Sequence, residues 1–134
     1  MTGEQPILII DDNVNLARGF ALVLQQHGYR AHVAHTAEDG LRQAETDHPA
    51  AIILDLRMPY INGAGFLYRL RSCPKYQATP VLVVTGAALN EEMRAELADL
   101  GAVVRFKPLG ALDLLAATGA LLHAKASSST ATPV

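Results

Sequence analysis

The sequence predicts an α/β fold, a five-stranded parallel sheet flanked by five helices, and three observations predict it. Apolar runs alternate with amphipathic stretches along the chain. Three of those runs, Pro6 to Ile10, Ala51 to Leu54 and Val81 to Val84, have no polar interruption, as suits strands buried on both faces. Each run stops on a polar residue: Asp11-Asp12, Asp55 or Thr85. Strands alternating with helices build a parallel sheet with right-handed crossovers and helices on both faces.

The elements follow in order. After the first strand, Asn13 caps a helix from Val14 to His27 whose apolar residues Leu16, Phe20, Val23 and Leu24 share one face, and Gly28 stops it. Tyr29 to Ala34 is a second strand, interrupted by Arg30 and His32 as an edge strand would be. Thr36, with Asp39 three residues on, opens a second helix that ends before Pro49. The strand ending at Asp55 is followed by Asn62-Gly63 and a third helix carrying Phe66, Leu67 and Leu70, closed by Cys73-Pro74. The fourth helix begins at Asn90 with Glu91 and Glu92 in its first turn, where the helix dipole favours acids. Met93, Leu97 and Leu100 form its stripe, and Gly101 closes it. A short fifth strand reaches Phe106 before Lys107-Pro108, and a fifth helix runs from Gly110 to about Lys125.

Composition bounds the function. A chain of 134 residues makes one domain, expected over residues 1–125, and is long enough to bury roughly two thirds of its unfolded surface. The stretch 126–134, ASSSTATPV, has nothing to bury and is expected to be a disordered tail. The single cysteine, Cys73, has no internal partner, which points to a reducing compartment. A net charge of -2 without a Lys/Arg cluster argues against direct nucleic-acid binding. The N-terminus MTGEQP lacks a signal pattern, and no apolar run approaches the roughly 18 residues that cross a membrane. A cytoplasmic location is expected.

Asp11, Asp12, Asp55, Thr85 and Lys107 all fall after strands, so a parallel sheet gathers them at one edge. Three carboxylates there repel one another unless a cation lies between them. Mg²⁺ suits the cluster, because it takes one or two carboxylates, keeps waters and accepts a phosphate oxygen, whereas calcium wants more protein oxygens. Lys107 and Thr85 then supply an ammonium and a hydroxyl for phosphoryl oxygens, with Asp55 as nucleophile and acceptor. Gly86, having no side chain, leaves room for a donor.

The motifs Ile9-Ile10-Asp11-Asp12, Leu54-Asp55-Leu56-Arg57-Met58-Pro59 followed by Asn62-Gly63, Val84-Thr85-Gly86 and Phe106-Lys107-Pro108 resemble the receiver domain of two-component response regulators, over about residues 6 to 124. The resemblance implies a flavodoxin-like, doubly wound sheet of order 2-1-3-4-5. It implies phosphorylation of Asp55 by a histidine kinase or histidine phosphotransfer protein, with Mg²⁺ bound by Asp12, Asp55 and the backbone carbonyl of Arg57, and by Asp11 through water. It also implies that Thr85 and Lys107 bind the phosphoryl group, that Lys107-Pro108 is a cis peptide, and that partners read the fourth helix, fifth strand and fifth helix.

The chain departs from the family pattern in three places. Val104 stands where the family usually has Tyr or Phe, so threonine-to-aromatic coupling is altered, with Phe106 on the same strand face as a substitute. Tyr60, where the family often has Gly, stands beside the site entrance. Arg57 and Ala87 occupy positions that tune dephosphorylation, and Ala87 offers no acid or amide to hold an attacking water, which points to a long-lived phosphoaspartate. The fifth helix has few charges, and Leu112, Leu114 and Leu121 are expected to leave an apolar strip exposed for a partner or a homodimer. A constitutive docking module that has ceased to switch is the alternative reading. An aspartyl-phosphate hydrolase fits less well, because Arg57 stands where such enzymes have an acid. His27, His32, His35, His48 and His123 show no paired metal spacing, and His32 and His35 are expected to face solvent.

Overall fold

Alternating side chains on fully apolar strands give the sheet two dry faces, and the helices divide between them. The computed structural model describes residues 5–55, 63–86 and 88–131. Leu56 to Asn62, including Arg57, Met58, Pro59 and Tyr60, lie outside the described residues, as does Ala87.

The strands are β1 (Ile7–Ile10), β2 (Ala31–Ala34), β3 (Ala51–Leu54), β4 (Val81–Thr85) and β5 (Ala102–Phe106). The helices are α1 (Val14–Gln26), α2 (Ala37–Asp47), α3 (Gly63–Ser72), α4 (Glu91–Asp99) and α5 (Ala111–Ala131), with a short 3₁₀ turn at Pro74–Tyr76. All strands pair in parallel in the order β2-β1-β3-β4-β5. The expected topology is therefore present, and β1 and β3 are the neighbours at which the winding reverses.

Leu8, Ile10, Ile52, Leu54, Val81 and Val83 pack with Ala37 and Ala44 of α2, Phe66, Leu67 and Leu70 of α3, and Leu97 of α4. On the other face, Ile7, Ile9, Ile53, Leu82 and Val84 pack with Ala17, Phe20, Ala21 and Leu24 of α1 and Leu114, Ala117 and Leu121 of α5. Burying a large aliphatic side chain contributes about 1.5–3 kcal/mol, so these two layers dominate the stability. The Asn13, Thr36 and Asn90 side chains cap α1, α2 and α4 by accepting from Leu16, Asp39 and Met93 N–H groups. Gly101, at φ +76°, makes the left-handed turn from α4 into β5.

The structure differs from the sequence-based expectation in several places. β2 begins at Ala31 rather than Tyr29, and Gly63 lies inside α3. α5 continues to Ala131, past the expected end near Lys125, so residues 126–131 are helical; no Gly or Pro interrupts the chain between Lys125 and Pro133. Leu114 and Leu121 are buried, so they do not belong to an exposed strip. With Ala117 they form the stripe that meets the sheet, and small neighbours let the helix approach closely. Leu112 alone of the three faces outward, 82% exposed.

Candidate functional site

The carboxyl edge of the sheet collects the chemistry. Asp11 follows β1, Asp55 follows β3, Thr85 closes β4 and Lys107 follows β5. Asp11, Asp55 and Thr85 are buried, while Asp12 is exposed at the rim. Backbone bonds fix where the acids emerge. Asp11 N–H donates to Ala34 O at 3.1 Å, Asp55 N–H to Ile10 O at 3.0 Å, and Lys107 N–H to Thr85 O at 2.9 Å. The ladder thus extends one residue beyond each strand and sets the polar side chains side by side.

Asp11, Asp12 and Asp55 each offer a carboxylate oxygen within 4.8 Å of the others. Lys107 Nζ lies 3.3 Å from Asp11 Oδ2 and 3.5 Å from Asp55 Oδ2. Among the described residues, this ammonium pairs with two of the three carboxylates. For the buried pair Asp11 and Asp55, repulsion at such a separation is about 3 kcal/mol at an effective dielectric near 20. The donor set is oxygen only, and the exposed Asp12 leaves the site open to water ligands. These residues fit a hard, partly hydrated divalent cation of the Mg²⁺ type.

Asp11 Oδ1 also accepts from Asn13 N–H at 2.9 Å, which braces the turn into α1. The Lys107-Pro108 bond is cis. Among the described residues, a Cβ added at Gly86 would meet nothing nearer than Lys107 Cβ at 4.0 Å. Phe106 pairs in register with Thr85 across β4 and β5, and Val104 with Val83. Register partners in a parallel ladder share a face. Val104 packs against the core on the α4 side, while Phe106 is 41% exposed with the Arg94 guanidinium 5.4 Å from its ring centroid.

Two histidines depart from expectation. His32 Nδ1 lies 2.6 Å from Asp47 Oδ2, and His35 Nδ1 lies 3.1 Å from the Asp11 carbonyl oxygen. Neither is simply solvent-facing. His35, expected to face solvent, instead reaches the Asp11 carbonyl; it follows a strand, as the site residues do, and that position is its one signal in the sequence. Among the described residues, no helix is long and apolar enough to cross a membrane.

Comparison with known proteins agrees with this geometry. Residues 7–118 match the response regulator receiver domain family. The chain is 35% identical over 120 residues to the response regulator ArlR of Staphylococcus aureus, covering 87% of this chain and 52% of that relative. It therefore spans about half the length of the curated relatives it matches. Among solved structures, the chemotaxis protein CheY4 of Vibrio cholerae superposes with a TM-score of 0.82 at 27% identity, covering 89% of this chain and 99% of that one. A CheY-like receiver domain protein from Methanospirillum hungatei gives a TM-score of 0.85 at 25% identity, covering 93% and 98%.

Proposed function

Because this chain belongs to the receiver-domain family of two-component response regulators, a family of signalling domains, we propose that Asp55 is its phosphoacceptor and that phosphorylation switches a protein-binding face. The observation that carries this reading is the buried Asp55 carboxylate within reach of Lys107 and two further acids. The donor is the phosphohistidine of a histidine kinase or histidine phosphotransfer protein. An Asp55 oxygen attacks phosphorus in line, the P–N bond breaks, and its electron pair returns to the donor imidazole, which takes up a proton.

This chain's own residues divide the work. Asp12 and Asp55, with the Arg57 carbonyl that the family resemblance implies, would hold the divalent cation, and Asp11 would reach it through water. That cation, when bound, neutralises charge building on the transferring oxygens. Lys107, held by Asp11 and Asp55, places its ammonium against a phosphoryl oxygen, and the Thr85 hydroxyl donates to another. Gly86, having no side chain, keeps the entry clear. With no acid or amide at Ala87, hydrolysis of the acyl phosphate is slow. The chain thus catalyses its own phosphorylation and little else.

Readout runs from Thr85 to its register partner Phe106 and then to α4, with Leu112 on the adjoining outer surface of α5. Val104 carries no ring, so Phe106 takes the aromatic role. The partner is an output protein or a second copy, and the module works in the cytoplasm. Incubation with phosphoramidate, a small phosphodonor, tests the acceptor. Mg²⁺-dependent gain of one phosphoryl group, mapped to Asp55 and absent in Asp55→Asn, is expected; no gain, or gain at another residue, would contradict the proposal.

A further inference from the structure

The acids of the site depend on how the chain leaves β1, and one side chain outside the cluster governs that exit. Asp11 N–H still belongs to the ladder through Ala34 O. Its carbonyl would next accept a backbone N–H from the strand beside it. That strand has already turned away, because Thr36 caps α2 with its side chain bound to Asp39 N–H. The half-buried His35 ring fills the gap, with Nδ1 at 3.1 Å from Asp11 O. A carbonyl can only accept, so Nδ1 carries the hydrogen. The imidazole thereby adds one rung to the sheet at the residue where the carboxylates begin.

We infer that His35 is a positioning residue for the cation site: its Nδ1–H bond to the Asp11 carbonyl sets the Asp11-Asp12 turn in the geometry that binds the divalent ion. All the other polar groups of Asp11 have partners of their own, Asn13 N–H and Lys107 on the carboxylate and Ala34 on the amide. Without the ring, the carbonyl is free to rotate, and rotation of that peptide carries the Asp12 side chain with it. Residues that orient metal ligands through hydrogen bonds characteristically change affinity by about 10–100-fold when removed.

This inference rests on the proposed cation-dependent phosphoacceptor site, and the test separates the two. Mg²⁺ is titrated into the native chain, His35→Leu, His35→Asn and Asp55→Asn, followed by the amide shifts of Asp12 and Asn13, with thermal midpoints measured alongside. Asparagine puts an amide nitrogen at the position of Nδ1 and keeps a donor there. Expected are saturable Mg²⁺ binding by the native chain, affinity about tenfold weaker in His35→Leu, and recovery in His35→Asn. In metal-free buffer the Asn13 amide shifts in His35→Leu but not in His35→Asn, a readout independent of metal. Native affinity in a folded His35→Leu variant overturns the inference while leaving the site intact. Absence of Asp55-dependent Mg²⁺ binding in the native chain overturns the functional reading itself. Should His35→Leu fail to fold, His35→Ala, which also lacks the donor, takes its place: weakened affinity upholds the inference and native affinity overturns it.

Discussion

The two ends of the sheet solve opposite electrostatic problems. At the carboxyl end, three acids cluster, and Lys107 pairs with the two buried ones, Asp11 and Asp55. At the amino end, Arg71 from α3 finds only neutral acceptors: Nε donates to Leu100 O at 2.7 Å, and Nη1 donates to Tyr76 O at 2.7 Å and Thr79 O at 2.8 Å. Those bonds tie α3, the 3₁₀ turn and the end of α4 together. Burial lowers the Arg71 pKa from its ordinary value, and the guanidinium remains charged. Among the described residues, the amino end is closed by protein hydrogen bonds, whereas the carboxyl end presents a cluster of carboxylate oxygens suited to a hard cation. The amino end braces three elements and the carboxyl end carries the candidate chemistry, with the two apolar layers between them.

Breaking the satisfied end should cost the most stability. Arg71→Met removes the charged donor from three carbonyls and should destabilise by about 2–4 kcal/mol in denaturant unfolding. A loss near zero would mean that water replaces the guanidinium and that the contrast between the ends is weaker than drawn.

A steric change beneath the reactive end comes next. A Cβ at Gly40 in α2 would lie 2.5 Å from Ile10 Cδ1 and 3.0 Å from Ile10 Cγ1, so Gly40→Ala must push back the residue that precedes Asp11. A loss of about 1–3 kcal/mol is expected, together with changed amide shifts at Asp11 and Asp12; shifts confined to α2 would show that Ile10 absorbs the change.

Completing the charged end should stabilise it. At tenfold excess over its dissociation constant, Mg²⁺ should add about 1.4 kcal/mol to the native chain and much less to Asp55→Asn, a difference read from thermal midpoints. Equal gains would place the ion elsewhere.

The smallest effect lies on the surface near the amino end. Lys75 Nζ contacts Glu45 Oε1 at 2.9 Å, and its hydrogen bond holds the Glu45 carboxyl below the ordinary value of 4.5. A lowered folded-state pKa stabilises above the unfolded value, and that contribution is lost as pH falls through the folded one. Lys75→Met should therefore leave stability nearly unchanged in acid and lower it slightly at neutral pH, because exposed pairs contribute little. A clear loss at both pH values would assign Lys75 a packing role.

Much of this contrast was legible in the sequence, and the reason is topological. Parallel strands deliver their carboxyl ends to one edge, so placing Asp11, Asp55, Thr85 and Lys107 after strands was enough to predict that they meet. What could not be read was which face a side chain takes when a helix is apolar all round. In α5, Leu114 and Leu121 turned inward and Leu112 outward, and the composition of the helix gave no charged face to decide between them. Side-chain bonds to distant backbone were equally hidden: His35 reaches Asp11 across 24 residues, and the Arg71 acceptors depend on where three elements end. Such bonds follow from assembled geometry, not from local periodicity.

A beryllium fluoride titration with and without Mg²⁺, read by amide chemical shifts in the native chain and Asp55→Asn, decides whether Asp55 drives a switch. Saturable shifts that need both Mg²⁺ and Asp55 are expected, beginning at Asn13 and Thr85 and extending to Phe106, Arg94 and α5. Shifts that persist in Asp55→Asn, or that stop at the site without reaching Phe106 and α4, would contradict a phosphorylation-driven switch and leave a docking module that keeps the fold.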